Sequence, residues 1–462
     1  MPKIDFDKLP KFSQLPVKPG APADSCWGVF GDEDELGCLN LLTAEGIVEA
    51  ARLVKRGRVF RLDTPVNYAT PPLFNRNPAR HTVVDFEQYG LLGFDDMLDD
   101  YNTQEGSQWD GLGHVGNLKA QAFYNGATAA DIRAGRLSIH RWANRFVGHG
   151  VIIDVCKYRI DQGRPLDPLS SDRYSLKDLK DAAAAQGATI RPGSVLLVRT
   201  GWMQAYLKSS PEAKAAMAPL DKLKACGIED TREMVAWLWD SRVAAIGTDC
   251  PAVEQWPWDF KNEGALHYRT LSLLGLPLGE QFVLDELAAD CHQDRQYEFM
   301  LVSCPLNVPN GIASPPNAVA IKSPDGPPPR AGLSWRPASE PARDLADRRL
   351  DRRGHHLKRH AGGVAMTHGL ARVVRQMDEA GRYAGPLAQQ VQNRVHHGVA
   401  YVGAGAERKR GGNSTPRERA KNLARIFALT DTDDEGLCNG TKTFAERSGE
   451  RACFLFVMSD IE

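Results

Sequence analysis

The order of apolar and polar positions in the first 322 residues predicts strands that alternate with helices. Short apolar runs bounded by turn residues are typical of buried strands, because they are too short for most helices. Four runs fit this pattern: GHGVIIDVC at 148–156, VLLVRT at 195–200, RVAAIGTD at 242–249 and EFMLVSCPL at 298–306. The runs do not recur at a fixed period, so a solenoid is not expected.

Three segments between these runs carry helix signals. Ser175 precedes LKDLKDAAAAQ and Gly187 follows it, which supplies an N-cap and a C-terminal stop. TREMVAWLWD at 231–240 and LDELAADC at 284–291 are also predicted to be helical. Strands that alternate with helices predict an α/β (or α+β) domain over residues 1–322.

The composition changes after Lys322. Residues 323–344 are rich in proline and arginine and are predicted to form a linker. Residues 345–462 contain the basic run RRLDRRGHHLKRH and little periodicity, which predict a poorly ordered or irregular C-terminal extension. A nucleic-acid-binding arm is the alternative. Since the run lacks interleaved aromatic residues, we expect no nucleic-acid partner.

The overall composition narrows the functional classes. The 462 residues carry a formal net charge of −1, so no global field favours nucleic acid or a membrane surface. No run of about 18 apolar residues occurs, and the N terminus lacks the apolar core of a signal peptide. Nine cysteines without a CxxC pair indicate reduced thiols. We therefore expect a cytoplasmic protein with no membrane partner.

The stretch QEGSQWDGLGH, residues 104–114, concentrates polar side chains in a glycine-rich segment. In an extended chain, side chains alternate between faces, so the even-numbered polar residues share one face. These are Gln104, Gln108, Asp110 and His114, whereas Trp109 points the other way. Oxygen and nitrogen donors on one face predict half of a divalent-metal site. The alternative is an Asp/Gly turn with a structural histidine.

The same stretch resembles HxGTHxDxPxH, the signature of the kynurenine formamidase-like "cyclase" family of metal-dependent hydrolases. Gly106 matches its glycine, Asp110 its aspartate and His114 its last histidine. Glutamines, Gln104 and Gln108, stand where the family has its first two histidines.

Further segments resemble the same family in the same order, over most of residues 25–322. They are GHGVIIDV, IRPGSVLLVRTGW, AAIGTDCPAVEQWP, LHYRTLSLLGLPLGEQFVLDELA and SPPNAVAIK. In the fourth segment, His267 and Glu280 match the family's late His/Glu motif. The sequence is most similar to the long branch that contains dienelactone hydrolase-like proteins.

The resemblance implies a swivelling β/β/α fold, a divalent metal, and hydrolysis of a cyclic or N-acyl amide or of a lactone. The implied metal ligands are Gln108, Asp110, His267 and Glu280. His114 is expected to be catalytic, taking a proton from the water that the metal activates and returning it to the leaving atom. An amide oxygen is a harder and weaker ligand than imidazole, so manganese competes with zinc as the expected metal.

Four further residues are expected to contact the small-molecule substrate: Trp109, Trp202, Asp249 and Glu254. Core packing is the alternative for the tryptophans, and helix or turn capping is the alternative for the acids. Family members are commonly homodimers or homotetramers, so the resemblance implies a homo-oligomer. The alternative function is a catalytically inactive small-molecule-binding relative that has lost tight metal binding.

Overall fold

A nine-stranded mixed sheet organises the N-terminal part of the chain. The computed structural model describes residues 4–55, 57–260 and 264–322 and, further along, two strands at 399–402 and 455–458. The strands before residue 323 are β1 (Arg58–Arg61), β2 (Arg80–Asp85), β3 (Phe94–Asp99), β4 (Gln108–Asp110), β5 (Val147–Asp154), β6 (Arg173–Tyr174), β7 (Val195–Arg199), β8 (Gly227–Ile228), β9 (Ala245–Thr248), β10 (Leu278–Glu280), β11 (Glu298–Ser303), β12 (Ala313–Ser314) and β13 (Ala318–Lys322).

The sheet runs in the order β1-β13-β11-β5-β7-β9-β10-β4-β12. Its middle strands, β5, β7, β9 and β10, are parallel to their neighbours within this group. The strands on either side of this group pair antiparallel. Every residue of β7 and β9 is buried, which explains why these strands read as continuous apolar runs in the sequence.

Helices precede or connect many of these strands. They are α1 (Ala44–Ala51), α2 (Ala129–Arg133), α3 (Val155–Asp161), α4 (Leu176–Gln186), α5 (Trp202–Lys208), α6 (Pro211–Met217), α7 (Arg232–Asp240), α8 (Leu266–Arg269) and α9 (Asp285–Asp294). The Ser175 hydroxyl accepts a hydrogen bond from Asp178 N at the start of α4, and Gly187 ends that helix with φ 71°. The mixed α/β fold predicted from the sequence is therefore confirmed, with α4 at its predicted bounds.

The first predicted strand is shorter than its apolar run. β5 ends at Asp154, and the last two residues of the run, Val155 and Cys156, begin α3. The Asp154 carboxylate accepts a hydrogen bond from Lys157 N at 2.9 Å, so it caps the new helix. The apolar run continues past this cap because both residues are buried in the helix.

Strands β2 and β3 form a hairpin that does not join the main sheet. They pair antiparallel from Arg80 with Asp99 to Asp85 with Phe94. All their residues are exposed except Val84, which is half-buried. In the sequence, the hairpin lies between Arg76 and the stretch 104–114.

Contacts divide the chain into two units, residues 1–343 and 344–462. In the second unit, the structure describes one antiparallel pair, β14 (Val399–Val402) with β15 (Leu455–Met458). The predicted linker, 323–344, and the rest of the predicted extension, 345–462, lie outside the described residues. Within the described part of the chain, no helix is long and apolar enough to cross a membrane.

Candidate metal centre

Two paired strands bring the first candidate ligands together. β4 pairs antiparallel with β10, which sets Gln108 opposite Glu280 and Asp110 opposite Leu278. Gln108 and Asp110 share one face of β4, because side chains alternate along a strand. The predicted common face is therefore present for these two residues.

Trp109 occupies the opposite face of β4 and does not reach the site. Its ring is fully buried, stacks on Phe146 at 4.4 Å and meets Phe282 edge-on at 5.0 Å. Its Nε1 donates to Ser303 Oγ at 3.0 Å. The strand's alternation turns the indole into the core, which favours packing over the expected substrate contact.

His267 enters the site from the short helix α8. The helix runs directly into a π-helical turn at Thr270–Leu274, a local distortion that is frequent at functional sites. His267 Nε2 lies 3.6 Å from Asp110 Oδ2 and 3.2 Å from Glu280 Oε1. On the other side of the ring, Nδ1 lies 3.0 Å from both carboxylate oxygens of Glu254.

His114 reaches the same place from the turn that follows β4. Its Nε2 lies 3.9 Å from Asp110 Oδ2, and 28% of its side-chain surface is accessible, which makes it the open side of the cluster. The turn requires glycine at 111, because a Cβ there would lie 2.4 Å from the Ile312 carbonyl oxygen. The Ile132 side chain packs against Gly113.

The two glutamines that replace the family's histidines hold the Asp110 carboxylate. Gln104 Nε2 donates to Asp110 Oδ1 at 2.8 Å and lies 3.3 Å from His114 Nε2. Gln108 Nε2 donates to Asp110 Oδ1 at 3.2 Å and to Glu280 Oε2 at 2.7 Å. Both amides therefore occupy one oxygen of Asp110 and leave the other facing the histidines.

The residues present fit a divalent cation. Asp110 Oδ2 and Gln108 Oε1 are buried and have no hydrogen-bond partner, which is costly for polar atoms in a folded protein. One donor atom each from Asp110, His114 and His267 lies within 4.8 Å of the other two. Two imidazoles and one carboxylate suit zinc, manganese and similar divalent ions.

Burial and nearby charges shift the pKa values of the side chains in the cluster. Burial works against a charged His267, but Glu254 and the other acids outweigh it and raise its pKa well above the ordinary value. Burial, together with Asp110, raises the pKa of Glu280 to about 8. Burial lowers the pKa of His114, although Asp110 offsets part of that change. An excess of buried negative charge is thus concentrated where a cation would sit.

The remaining predicted substrate contacts lie behind the site or away from it. Asp249 accepts hydrogen bonds from Thr200 N at 2.6 Å, Thr200 Oγ1 at 2.7 Å and Gly201 N at 2.9 Å, so it fixes the turn between β7 and α5. Trp202 is fully buried and stacks on Tyr206 at 4.8 Å. Glu254 is fully buried and faces His267. For these residues, as for Trp109, the observed contacts favour packing, capping or positioning of His267, and the expected substrate contact stays a prediction.

One neighbour of the cluster, Arg76, lacked a sequence signal that marked it. Arg76 donates from Nη1 to the Gln104 carbonyl, and its charge helps to lower the pKa of Asp110. It lies in an ordinary loop, and only the hairpin between 76 and 104 brings it to the site. Trp258 lies 4.5 Å from the His267 ring. The sequence allowed Trp258 to be considered as a lining residue of an aromatic substrate pocket, with packing as the alternative.

Comparisons with known proteins found one family model and several solved structures that are similar to this chain. The Cyclase family model matches residues 60–255. A crystal structure described as a novel cyclase is 32% identical, with a TM-score of 0.58, and the match covers 64% of this chain and 99% of that one. Isatin hydrolase A from Labrenzia aggregata, solved with benzyl benzoate, is 16% identical, with a TM-score of 0.43 and coverage of 60% and 96%. Isatin hydrolase A from Ralstonia solanacearum is 15% identical, with a TM-score of 0.42 and coverage of 61% and 95%. No curated protein matches the sequence.

Proposed function

The chain belongs to the cyclase family, and we propose that it is a metal-dependent hydrolase that opens a small-molecule cyclic or N-acyl amide, or a lactone. The observation that carries the proposal is the cluster of Asp110, His114 and His267, whose donor atoms converge within 4.8 Å. The buried Asp110 Oδ2 has no hydrogen-bond partner, which is expected of a ligand atom.

We propose Asp110, His114 and His267 as the residues that hold the metal. The sequence led us to expect Gln108 and Glu280 as ligands and His114 as the proton carrier. The convergence of donor atoms from Asp110, His114 and His267 supports a different division. In it the Gln108 amide nitrogen holds Asp110 and Glu280, and its unpartnered Oε1 stays available as a further ligand atom. Glu280 contacts His267 and Gln108 at the edge of the three-residue cluster. When bound, a divalent metal supplies Lewis-acid activation of water and of the substrate carbonyl.

Glu280 is the proposed proton carrier. Its Oε2 is held by Gln108 Nε2 at 2.7 Å, which fixes the carboxylate and leaves Oε1 beside the cluster. In its ionised form, Glu280 accepts a proton from the attacking water as the new C–O bond forms. It then delivers that proton to the leaving nitrogen or oxygen as the scissile bond breaks. No covalent enzyme intermediate is required.

Aromatic residues beside the histidine support an apolar ring in the substrate. Trp258 packs on His267, and Phe260 meets Trp258 at 5.3 Å while remaining 48% exposed. The Trp258 Nε1 donor is buried without a hydrogen-bond partner. An apolar surface with one convergent polar group is typical of a small-molecule pocket.

A chelation and add-back assay tests the proposal. The purified full chain is dialysed against EDTA and assayed on a panel of aryl lactones, cyclic amides and formanilide, before and after addition of Mn²⁺ or Zn²⁺. Hydrolysis that is lost on chelation and restored by one of the metals supports the proposal. An inactive binding relative would retain substrate affinity in calorimetry but hydrolyse no member of the panel with either metal.

A further inference from the structure

We propose that Arg76 is a specificity-determining residue that binds a carboxylate group on an aromatic substrate. The inference rests on the hydrolase function proposed above, because the carboxylate would lie in the same site as the reacting amide or ester. Arg76 donates from Nη1 to the Gln104 carbonyl. The Gln104 amide in turn donates to Asp110 Oδ1 at 2.8 Å and lies 3.3 Å from His114 Nε2. One residue therefore links the guanidinium to the candidate metal ligands.

The positive charge of Arg76 has no acidic partner in the part of the chain that the structure describes. No ion pair joins this half-buried side chain to a carboxylate there, whereas Arg80 lies 3.2 Å from Asp100. A guanidinium carries five N–H donors, and among the described residues only the Gln104 carbonyl accepts a hydrogen bond from Arg76. Because a charge that is partly removed from water is costly to leave unpaired, the remaining donors suit an anionic ligand.

The acids whose charges act on Arg76 have other partners. Burial lowers the pKa of Arg76, and the charges of Glu280, Asp110 and Glu105 offset part of this change. Asp110 and Glu280 accept hydrogen bonds from Gln108 Nε2, and Glu105 Oε1 accepts one from a backbone amide at 2.8 Å. A cation bound at the centre would repel an unpaired guanidinium nearby. A substrate carboxylate in contact with Arg76 would reduce this repulsion.

A row of aromatic rings connects Arg76 to the metal centre. Arg76 Cζ lies 4.9 Å from the centre of the Phe74 ring, and Phe74 meets Trp256 edge-on at 5.0 Å. Trp256 in turn meets Trp258 edge-on at 4.7 Å, and Trp258 lies 4.5 Å from the His267 ring. An aromatic substrate that packs on this row can present its reacting group to the centre and a second substituent to the guanidinium.

The polar groups of this row are hydrogen-bond donors. The Nε1 atoms of Trp256 and Trp258 are buried and have no acceptor among the described residues. Indole and guanidinium nitrogens donate hydrogen bonds and do not accept them. A carboxylate offers only acceptors when ionised, and its planar shape matches the two parallel N–H bonds of an arginine. The row therefore suits a ring that carries a carboxylate better than one that carries an ammonium or a neutral amide.

The first test compares two substrates that differ in charge. The metal-loaded full chain is assayed on 4-formamidobenzoate and on its neutral counterpart, 4-formamidobenzamide. We expect kcat/KM for deformylation to favour the acid by about 10-fold or more, and Arg76→Gln to abolish this preference. Arg80→Gln is the control, since it removes an exposed positive charge from the same segment and should keep the preference. Equal turnover of both compounds by the wild type overturns the role of Arg76 and leaves the hydrolase proposal intact.

The second test measures binding without turnover, so it decides the inference even if neither compound is hydrolysed. Calorimetry compares benzoate with acetophenone, which has a similar shape but no charge. We expect benzoate to bind the wild type about 10-fold more tightly than it binds Arg76→Gln, with part of the affinity kept in Arg76→Lys and acetophenone binding unchanged. Unchanged benzoate affinity in Arg76→Gln would place the carboxylate elsewhere and overturn the inference. An equal loss for both ligands would also overturn it, because Arg76 would then only hold its loop, near the unpartnered Oε2 of Glu105.

Discussion

His267 Nδ1 lies 3.0 Å from both carboxylate oxygens of Glu254, deep beneath the candidate metal centre. A carboxylate in this position fixes the tautomer of the imidazole, so that Nε2 faces Asp110 and the proposed cation. We therefore expect Glu254 to act through His267 and not on the substrate directly.

The Glu254→Gln substitution is therefore expected to weaken Mn²⁺ or Zn²⁺ binding by about 10–100-fold, as for other partners of metal-binding histidines. Competition with a chromogenic chelator measures the change. Glu298→Gln is the matched control, because Glu298 contacts His149 at 2.8 Å in the same way but away from the centre. Equal metal affinity in both variants would remove Glu254 from the account.

Measuring metal content and turnover on the same variants distinguishes the roles proposed for His114 and Glu280. His114→Ala is expected to lose both metal and activity, because it removes a ligand. Glu280→Gln keeps the size and the hydrogen-bonding capacity of the side chain, so it should retain metal while kcat falls by about 10²–10⁴-fold. Metal analysis and steady-state kinetics on the same preparations decide the matter. Full metal occupancy in His114→Ala would return that histidine to the role of proton carrier.

Trp258 is expected to influence substrate binding more than chemistry. Trp258→Leu removes the aromatic surface beside His267, so KM should rise by about 10-fold or more with a smaller change in kcat. Trp237→Leu provides a comparison, since Trp237 packs against the core from α7. A KM unchanged by Trp258→Leu would exclude this ring from the substrate pocket.

The Asp154 carboxylate predicts a dependence of stability on acid pH. Burial opposes its ionisation, but His292 Nε2 at 2.9 Å and Arg199 Nη1 at 3.1 Å outweigh burial and hold its pKa below its ordinary value. The folded state therefore favours the ionised acid, and the stabilisation is complete only above the unfolded-state pKa. It is lost as pH falls through the lower folded-state value.

Urea unfolding of the wild type and Asp154→Asn from pH 7 to pH 3 measures this contribution. At pH 7 we expect the variant to be less stable by about 3 kcal/mol, because Arg199 loses the buried one of its two carboxylate partners. The difference should shrink as the pH falls below about 4. A difference that stays constant over this range would show that the loss does not come from the ionisation of Asp154.

Much of the fold could be predicted from the sequence wherever local signals agreed. Ser175 and Gly187 marked the ends of α4, and apolar runs marked β7 and β9. The β2–β3 hairpin was not predicted, because its strands are almost entirely exposed and lack the alternation that a buried face imposes.

The candidate-site residues that lie close together in the sequence could be predicted more fully than those that lie far from them. Gln108 and Asp110 lie on one face because β4 alternates, although the strand spans only Gln108–Asp110. His114 joins them through a glycine turn that sequence parity alone does not describe. Arg76 reaches the cluster through contacts distant in sequence, for which a single chain carries no local signal.

The metal content of the purified chain tests the central claim most directly. The wild type and an Asp110→Ala/His267→Ala variant, expressed in medium that contains manganese and zinc, are compared by elemental analysis after gel filtration. We expect a single divalent ion for each wild-type chain and none in the variant, because the two substitutions remove two of the three proposed ligands. Wild-type chains that retain no more metal than the variant would contradict the account.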